Sequence, residues 1–352
     1  MPINIYETRT MLRAIEKMLP VRTFLRDTFF PNPLTFITEK VDVDFKKGKR
    51  KMAPFVARTK GGITVDRQGF RTDTYTTPYV APQRPITKND ITNRMLGESI
   101  YSTRTPAQRA MELLAADLAE LDEMITRREE WLCRQILLSG TATIKGWVDK
   151  VGGNDYVEDV IDFNLTNKET LSGADAWNTE TCDMYADLKR IRLEIIKATG
   201  MSPNIVVMAS NVVDLFINNP KIQKLLDVRN MTIGMINVKP RIKEDGVTYV
   251  GTLTGLGLEL YTYDEWFLDD DGVSTAMIPD DHLIMGRINL GSMLYGAVTQ
   301  VEQSDQDFHT YEGTRIPKVW TSTSDDSRMI RVASRPLPKP DDVDSWYTLK
   351  VK

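Results

Sequence analysis

The clearest hydrophobic pattern in the chain is helical and spans residues 106–139. Apolar residues recur at three- and four-residue spacing from Met111 to Ile136, which places them on one face of a helix. The run Thr105-Pro106-Ala107-Gln108 has the form of a capping box with proline at the first helical position. Ser139-Gly140 is a typical helix end. At 1.5 Å per residue, this helix should be about 50 Å long.

The polar positions of the predicted helix are mostly acidic. Between Glu112 and Glu130 there are seven acidic residues and two basic ones. Because the polar positions of an amphipathic helix normally face solvent, the pattern predicts a strongly acidic outer face. The candidate residues of this face are Glu112, Asp117, Glu120, Asp122 and Glu123.

A second segment has the opposite charge and a pattern typical of strand, turn and strand. Residues 50–82 contain β-branched and aromatic residues, with glycines that suit turns. Residues 46–71, the basic segment, hold nine basic residues and one acidic residue. An isolated hairpin is marginally stable in water, so we expect this one to lie against another surface. The basic residues are Lys46, Lys47, Lys49, Arg50, Lys51, Arg58, Lys60, Arg67 and Arg71.

The N-terminal pattern predicts a short amphipathic helix over residues 7–19. Arg9, Arg13 and Lys17 form a basic stripe along it at four-residue spacing. The helix could pack on its own domain, or it could belong to a mobile arm that binds a partner. Residues 20–45 contain three prolines and an apolar cluster, which we interpret as an extended arm ending in an alternating strand.

The remaining patterns mix helices and strands without regular alternation, which favours an α+β fold. We predict a hairpin at 140–166, a loop at 167–181, helices at 183–199, 211–218 and 220–227, a buried strand at 203–210, a hairpin around 269–272, and strands at 249–253, 258–263, 279–286, 296–303 and 328–338.

Composition narrows the functional class. The chain has 352 residues with 45 basic and 49 acidic side chains, which argues against a protein whose main task is to bind nucleic acid. Two cysteines make no disulfide framework and fit a reducing cytosol. We find no signal sequence and no apolar run of the roughly 20 residues that a membrane span needs, so we expect no membrane association.

Candidates for chemistry are few. His282 and His309 have no second histidine or cysteine at ligand spacing, and there is no nucleophile elbow or phosphate-binding loop. The acidic turns at 269–271 and 280–281 lack the spacing of a calcium loop, so we interpret them as solvated turns. We expect no enzymatic activity, no cofactor and no metal site.

A long basic hairpin together with a long acidic helix resembles the major capsid proteins of lambda-like tailed phages, the major capsid protein E family. The similarity follows the order and spacing of short runs over nearly the whole chain. These runs are Phe36 to Val41, Met52-Ala53, Tyr79 to Pro82, the long helix, Asn204 to Val207, Pro279-Asp280, Leu283 to Gly286, Pro317-Lys318, Trp320, and Arg335 to Leu337.

The resemblance implies the Hong Kong 97-type capsid fold. On that basis the chain would divide into an N-terminal arm at 1–47, an extended E-loop hairpin at 48–84, a peripheral domain at 85–166 with a spine helix at 106–139, an axial domain at 167–295, and return strands of the peripheral domain with the C-terminal tail at 296–352.

The resemblance also implies a function. Such proteins assemble with copies of themselves into pentamers and hexamers of an icosahedral shell around double-stranded DNA. The expected partners are therefore other copies of the chain, a scaffolding protein, a portal, a possible decoration protein, and packaged DNA contacted non-specifically. The expected location is the virion capsid, assembled in the host cytoplasm.

From the charges we infer that the basic hairpin lies near the acidic flank of the spine helix in the neighbouring copy. We also infer that Arg9, Arg13 and Lys17 bind an acidic scaffolding protein. Two other functions stay open on the sequence alone. One is an encapsulin-like compartment that holds cargo instead of DNA, and the other is a nucleic-acid-binding protein that uses the basic hairpin.

Overall fold

The fold is taken from a computed structural model of the chain. The structure describes residues 23–45, 52, 55–56, 64, 71–93, 105–148, 151, 155–179, 182–227, 241–244, 246–303, 306–322 and 327–352. Its helices are α1 (Phe24–Phe29), α2 (Lys88–Thr92), α3 (Pro106–Ser139), α4 (Met184–Thr199), α5 (Ser210–Asn218) and α6 (Pro220–Asp227).

The strands of the described residues are β1 (Asn32–Phe36), β2 (Lys40–Phe45), β3 (Arg71–Thr76), β4 (Gln83–Ile86), β5 (Thr141–Trp147), β6 (Tyr156–Asp162), β7 (Lys168–Thr170), β8 (Ile205–Met208), β9 (Arg241–Glu244), β10 (Val247–Leu253), β11 (Leu258–Tyr263), β12 (Trp266–Leu268), β13 (Ser274–Ala276), β14 (His282–Gly286), β15 (Gly291–Gly296), β16 (Val298–Val301), β17 (Phe308–Tyr311), β18 (Ile316–Ser322), β19 (Ser327–Ala333), β20 (Pro336–Pro340) and β21 (Tyr347–Lys350).

Helix α3 has the predicted bounds. The Thr105 hydroxyl accepts a hydrogen bond from Gln108 N at 3.3 Å, and Gln108 Oε1 accepts one from Thr105 N at 2.9 Å. Both halves of the capping box are thus formed. The helix ends at Gly140, whose φ of +75° lies in the left-handed region that glycine adopts without strain.

The largest sheet in the described part of the chain has seven strands in the order β7-β21-β14-β8-β11-β10-β9. All four residues of β8 are buried, as the apolar run predicted. The C-terminal strand β21 pairs with β14 and β7, so residues 168–170 and 347–350 are neighbours in this sheet. Around the sheet lies the main hydrophobic core, which includes the fully buried Trp177 and Trp346.

A smaller core lies under the first half of α3. There the three-stranded sheet β18-β19-β4 packs against the helix. Leu114, Leu118, Leu121 and Ile125 of the helix pack with Ile330 of β19. The second half of α3 packs in the main core, so this helix contributes side chains to both cores.

Several predictions about the ends and loops are wrong. Residues 20–45 are not wholly extended, because Phe24–Phe29 form α1 and bury their aromatic side chains in the main core. Residues 167–181 contain strand β7 and a 3₁₀ turn at Gly173–Asp175, since β7 pairs with the C-terminal strand. The single strand predicted at 328–338 is two strands, because β19 and β20 belong to different sheets.

A second three-stranded sheet, β1-β15-β20, and four two-stranded units, β2-β3, β5-β6, β12-β13 and β16-β17, complete the described fold. The pair β2-β3 forms the base of the predicted basic hairpin, with Phe45 opposite Arg71. The pair β5-β6 confirms the hairpin predicted at 140–166, and β12-β13 confirms the one around 269–272.

Candidate functional site

Helix α3 joins distant parts of the chain through a buried carboxylate. The Glu129 side chain is fully buried, and its oxygens accept hydrogen bonds from Arg26 Nη1 at 2.8 Å and Arg315 Nη1 at 2.5 Å. Arg315 also donates through Nε to Asp122 Oδ1 at 2.5 Å and through Nη2 to Thr126 Oγ1 at 3.0 Å. One arginine comes from α1 and the other directly precedes β18, so the cluster connects both segments to the helix.

The charges of this cluster stabilise one another. Burial by itself lowers the pKa of Arg315, but attraction to Glu129 and Asp122 outweighs the burial and raises that pKa above its ordinary value. The pKa of Arg26 is raised in the same way, mainly by Glu129 acting against burial. Removing any one partner would leave an uncompensated buried charge, which is strongly destabilising.

The neighbouring residue, Glu130, caps the N-terminal turn of α1 with its carboxylate. Its Oε1 accepts a hydrogen bond from Leu25 N at 2.7 Å, and its Oε2 accepts one from Arg26 N at 2.9 Å. These are backbone groups that a helix start leaves without an intrahelical partner. Burial raises the pKa of Glu130 to about 7, although hydrogen bonds from these two N–H groups and from Tyr263 favour the charged form.

Closer to its N-terminal end, α3 is bound to the smaller sheet by a second charged group. Arg84 of β4 donates through Nη1 to Asp117 Oδ1 at 2.8 Å and to Glu120 Oε2 at 2.5 Å. The hydrogen bonds that Arg84 donates to Glu120 and then to Asp117 raise the pKa of Arg84 above its ordinary value. Asp117 is buried, whereas Glu120 is about half exposed, with 54% of its side chain accessible.

The hairpin β12-β13 contacts the middle of α3 through two arginines of the helix. The Arg128 guanidinium pairs with the Asp270 carboxylate in the turn of the hairpin. Arg134 donates through Nε to the carbonyl oxygen of Met277 at 2.7 Å, and its guanidinium lies 5.4 Å from the ring centre of Phe267. The acidic turn at 269–271 therefore contributes a structural ion pair.

The prediction of an acidic outer face on α3 is wrong in part. Asp117 and Asp122 point toward the protein, because arginines from distant strands and loops pair with them there. Glu123 pairs with Arg127 on the surface, and Glu120 pairs with Arg84. Glu112 is exposed. Only Glu112, Glu120 and Glu123 of the five predicted residues can therefore face a neighbouring molecule.

The hairpin β5-β6 presents a different kind of surface. Of the residues that the structure describes in this hairpin, only Ala142 and Ile161, near its base, are buried. Val148, Val157 and Val160 are between 56% and 67% exposed. Exposed apolar side chains gathered on one element mark interaction sites. The residue pattern predicted this hairpin but did not identify its apolar surface. The valines of the hairpin were the signal in the sequence that could have identified it.

Within the described residues, no group of three or more histidine, cysteine, aspartate or glutamate side chains is arranged to hold a metal ion. Asp269 Oδ1 accepts hydrogen bonds from Asp271 N and Val273 N, and so closes its own turn. Asp281 accepts from Asn211 and pairs with Lys352. No helix in the described part of the chain is long and apolar enough to cross a membrane.

Comparison with known proteins gives a family. The sequence model of the family described as phage major capsid protein E matches residues 7–351. The chain belongs to the phage major capsid protein E family. It is 23% identical over 355 residues to the P21 prophage-derived major head protein of Escherichia coli O6:H1 strain CFT073, covering 99% of this chain and 100% of that protein. The major capsid protein of Enterobacteria phage P21 has the same identity and coverage.

Solved structures show the fold of this capsid protein. The crystal structure of a prophage capsid protein from Escherichia coli CFT073 is 20% identical and covers 98% of this chain and 99% of its own, with a TM-score of 0.68. The asymmetric unit of the mature capsid of bacteriophage PhiM1 is 11% identical, with a TM-score of 0.51 over 95% of this chain and 88% of that chain. The fold is the Hong Kong 97-type α+β capsid fold, as the resemblance implied.

Most of the predicted basic residues lie outside the described residues. These are Lys46, Lys47, Lys49, Arg50, Lys51, Arg58, Lys60 and Arg67 of the basic segment, and Arg9, Arg13 and Lys17 of the N-terminal helix. Arg71 is described. It begins β3, is exposed, and pairs through Nε with Asp73 Oδ1 at 2.7 Å.

The capsid protein also has functional candidates that the sequence did not reveal. Arg26, Arg84 and Arg315 are isolated basic residues in the sequence, and each finds its carboxylate on α3 only in the folded chain. No local pattern marks such residues, because their partners lie far away along the chain.

Proposed function

We propose that this chain is the building block of a phage head. In this proposal, copies of the chain assemble into pentamers and hexamers of an icosahedral shell that encloses double-stranded DNA. The supporting observation is membership of the phage major capsid protein E family over residues 7–351. A structural role also agrees with the buried ion pairs, which stiffen one subunit around α3 and leave hairpins such as β5-β6 exposed.

The proposal includes a division of the chain that follows the family fold. Residues 1–47 would form the N-terminal arm, 48–84 the E-loop, 85–166 the peripheral domain, 167–295 the axial domain and 296–352 the return strands. Helix α3 would be the spine helix. The basic segment would extend from the β2-β3 base to a neighbouring copy, where the helix offers Glu112, Glu120 and Glu123.

Assembly partners are part of the proposal. A scaffolding protein would bind the basic stripe of Arg9, Arg13 and Lys17, a portal would occupy one vertex, and a decoration protein could cover the outside. Assembly would take place in the host cytoplasm and end in the virion. Deletion of residues 2–19 should give shells of incorrect size, and shells of normal size would contradict the scaffold assignment.

Negative-stain electron microscopy tests the main proposal. The protein would be produced alone and together with the product of the gene upstream of its own. Closed shells, or uniform rings of five and six subunits, are expected in at least one sample. A monodisperse monomer in both samples would contradict the proposal, and retention on a DNA column at physiological salt would then support a nucleic-acid-binding function.

The encapsulin-like alternative is tested by what the shell contains. A phage shell should occur beside portal and terminase genes and should fill with DNA in an infected cell. Shells that hold a protein cargo, from a locus without those genes, would support the compartment function instead.

A further inference from the structure

The sheet β18-β19-β4 carries two cations side by side on the face that points away from α3. Ile330 and Val332 of β19 pack under α3, so Arg331 between them points to the opposite face. Lys318 of β18 is the direct cross-strand partner of Arg331. Like charges directly opposite each other in a sheet are destabilising. The two cations therefore repel each other in the isolated subunit.

Neither cation forms an ion pair with a carboxylate of the described residues. Lys318 Nζ lies 5.4 Å and Arg331 Cζ lies 5.7 Å from the ring centre of Trp320, which is partly buried. Arg331 donates through Nη2 to Gln300 Oε1 at 3.3 Å. Its Nε is buried and has no hydrogen-bond partner in the part of the chain that the structure describes. The site therefore has donors and positive charge to spare.

The charge on Lys318 is destabilised by this arrangement. Burial and then the positive charge of Arg331 lower the pKa of Lys318, against the opposing effect of Glu302. The carboxylate of Glu302 forms no ion pair with Lys318, and its Oε1 accepts hydrogen bonds from Gln300 Nε2 and Tyr311 O–H, both at 3.0 Å. A bound oxyanion would remove the repulsion and supply the missing acceptors.

A protein carboxylate suits this surface better than a nucleic acid does. Proteins that bind duplex DNA through its backbone neutralise many phosphates at once, whereas this patch has two cations. Gln83 and Pro85 of β4 continue the same face and are exposed and uncharged. Tryptophan and arginine are the residues that most often dominate contacts between proteins. The patch therefore favours an acidic and partly apolar protein surface.

The hairpin β5-β6 has this character. Asp155, Glu158 and Asp159 are exposed and form no ion pair with a described residue. Val160 is 56% exposed and lies two positions after Glu158 in β6, so the two side chains share one face of the hairpin. No third strand pairs with the hairpin among the described residues, and an isolated two-stranded unit is marginal in water. The hairpin therefore needs a partner surface.

The two surfaces belong to opposite ends of α3. The sheet packs against the helix from Leu114 to Ile125, whereas β5 begins directly after the helix end at Ser139. At 1.5 Å per residue, Ser139 is about 27 Å along the helix from Leu121. Different surfaces at the two ends of one subunit can join identical copies in heterologous contacts, which close into rings when the rotation allows.

We propose that the hairpin β5-β6 of one copy binds through its carboxylates to Lys318 and Arg331 of a second copy. The contact rests on the proposed function in shell assembly and identifies one of the surfaces that hold neighbouring copies together. The carboxylates neutralise the two cations, and Val160 covers part of the apolar surface around Trp320.

Charge reversal tests the contact. One variant carries Lys318→Glu, and the other carries Glu158→Lys with Asp159→Lys. Each variant alone should reduce the protein found in rings or shells at least about tenfold, measured by sedimentation and negative-stain electron microscopy. A one-to-one mixture should restore hexameric rings, because each altered surface then meets the altered, complementary surface of the other variant. All three substitutions in one chain should restore assembly for the same reason.

The patch variant also separates assembly from folding. In Lys318→Glu the new carboxylate lies opposite Arg331, so attraction replaces repulsion within the subunit. The melting temperature of the unassembled subunit should therefore stay unchanged or rise while assembly is lost. If the variant unfolds instead, Lys318→Gln replaces it, and it should reduce assembly with an unchanged circular dichroism spectrum.

Matched controls change the same charges at other exposed positions. Lys189→Glu is the control for the patch, and Asp175→Lys with Asp214→Lys is the control for the hairpin. Both controls should assemble normally. Loss of assembly in the controls as well would attribute the effect to net charge and would overturn the contact.

The remaining outcomes are distinct. Normal assembly of either reversal variant would overturn the contact while leaving the shell function intact. Loss of assembly that neither the mixture nor the triple substitution restores would overturn the pairing of these two surfaces. Normal shells from Lys318→Glu together with weaker retention on a DNA column would assign the patch to nucleic acid instead. Failure of the unaltered protein to assemble under all conditions would contradict the proposed function itself.

Discussion

Arg315 and Glu129 form an ion pair in the interior of the capsid subunit, with Nη1 of the arginine 2.5 Å from Oε1 of the carboxylate. The two residues are 186 positions apart in the chain. The side chain of Glu129 is fully buried and that of Arg315 is 9% exposed. The pair therefore fixes the segment before β18 to α3, and Arg26 on the other carboxylate oxygen fixes α1 to the same point.

Replacing Arg315 should strongly destabilise the unassembled subunit. In Arg315→Met, Asp122 and Thr126 lose a partner and Glu129 loses one of its two arginines, so the free energy of unfolding should fall by about 3–5 kcal/mol. Urea denaturation measures the change. The matched control is Arg127→Met, which breaks the surface pair with Glu123 and should cost less than about 1 kcal/mol. Equal effects of the two substitutions would contradict the assigned role.

The buried carboxylate of Glu130 should make stability depend on pH. Its pKa is raised from the ordinary 4.5 to about 7, so the folded state binds the proton more tightly than the unfolded chain. The resulting stability is fully present below pH 4.5 and is lost as pH rises through 7. The free energy of unfolding should therefore fall over this range by on the order of 3 kcal/mol.

The variant Glu130→Gln isolates this contribution, because glutamine cannot titrate. Urea denaturation at several pH values should show a smaller fall for the variant than for the unaltered protein. Other carboxylates contribute equally to the pH dependence of both proteins, so the difference between the two profiles measures the contribution of Glu130. Identical profiles would mean that Glu130 does not change its proton binding on folding.

The end of α3 should not tolerate a side chain at Gly140. The backbone there has φ of +75°, and a Cβ atom would overlap the side chain of Leu165. Gly140→Ala should therefore cost more than the roughly 1–2 kcal/mol of left-handed strain alone. The control is Gly257→Ala, where φ is +65° but, among the described residues other than its two chain neighbours, no atom lies within 4 Å of the added Cβ. Thermal unfolding should show a clearly larger decrease for the first variant, and equal decreases would rule out the clash.

The basic segment should be needed for assembly and not for folding. Lys49→Glu, Arg50→Glu and Lys51→Glu together should block shell formation, because the segment would then repel the acidic surface of a neighbour. The circular dichroism spectrum of the monomer should stay unchanged. Normal shells from this variant, seen by negative-stain electron microscopy, would exclude the predicted charge pairing.

The same charges give an ionic-strength test on the unaltered protein. Exposed charges more than about 8 Å apart are largely screened at physiological salt, and still closer ones at 1 M. Raising the salt concentration should therefore slow ring formation followed by light scattering. A rate that does not change with salt would argue for a contact that is mainly apolar.

Local signals in the sequence determined much of this protein. The bounds of α3 follow from a capping box at Thr105 and a glycine at 140, and both act within one helical turn. Helices α4 to α6 and the hairpins β5-β6 and β12-β13 were predictable for the same reason. Hydrophobic periodicity and turn residues depend on interactions between residues close together in the chain, so they predict local elements. The order and spacing of short residue runs over nearly the whole chain carried the resemblance to the capsid family.

Tertiary structure alone decided the rest. A six-residue helix is not stable by itself, and α1 exists because Glu130 caps its start and its aromatic residues are buried. Likewise, the acidic residues of α3 were predicted to face outward, yet Asp117, Asp122 and Glu129 turn inward to arginines from other strands and loops. An ion pair over such distances along the chain has no periodic signature. Local sequence determined where α3 begins and ends, and long-range pairing decided which of its charges are buried and which remain exposed for a neighbouring subunit.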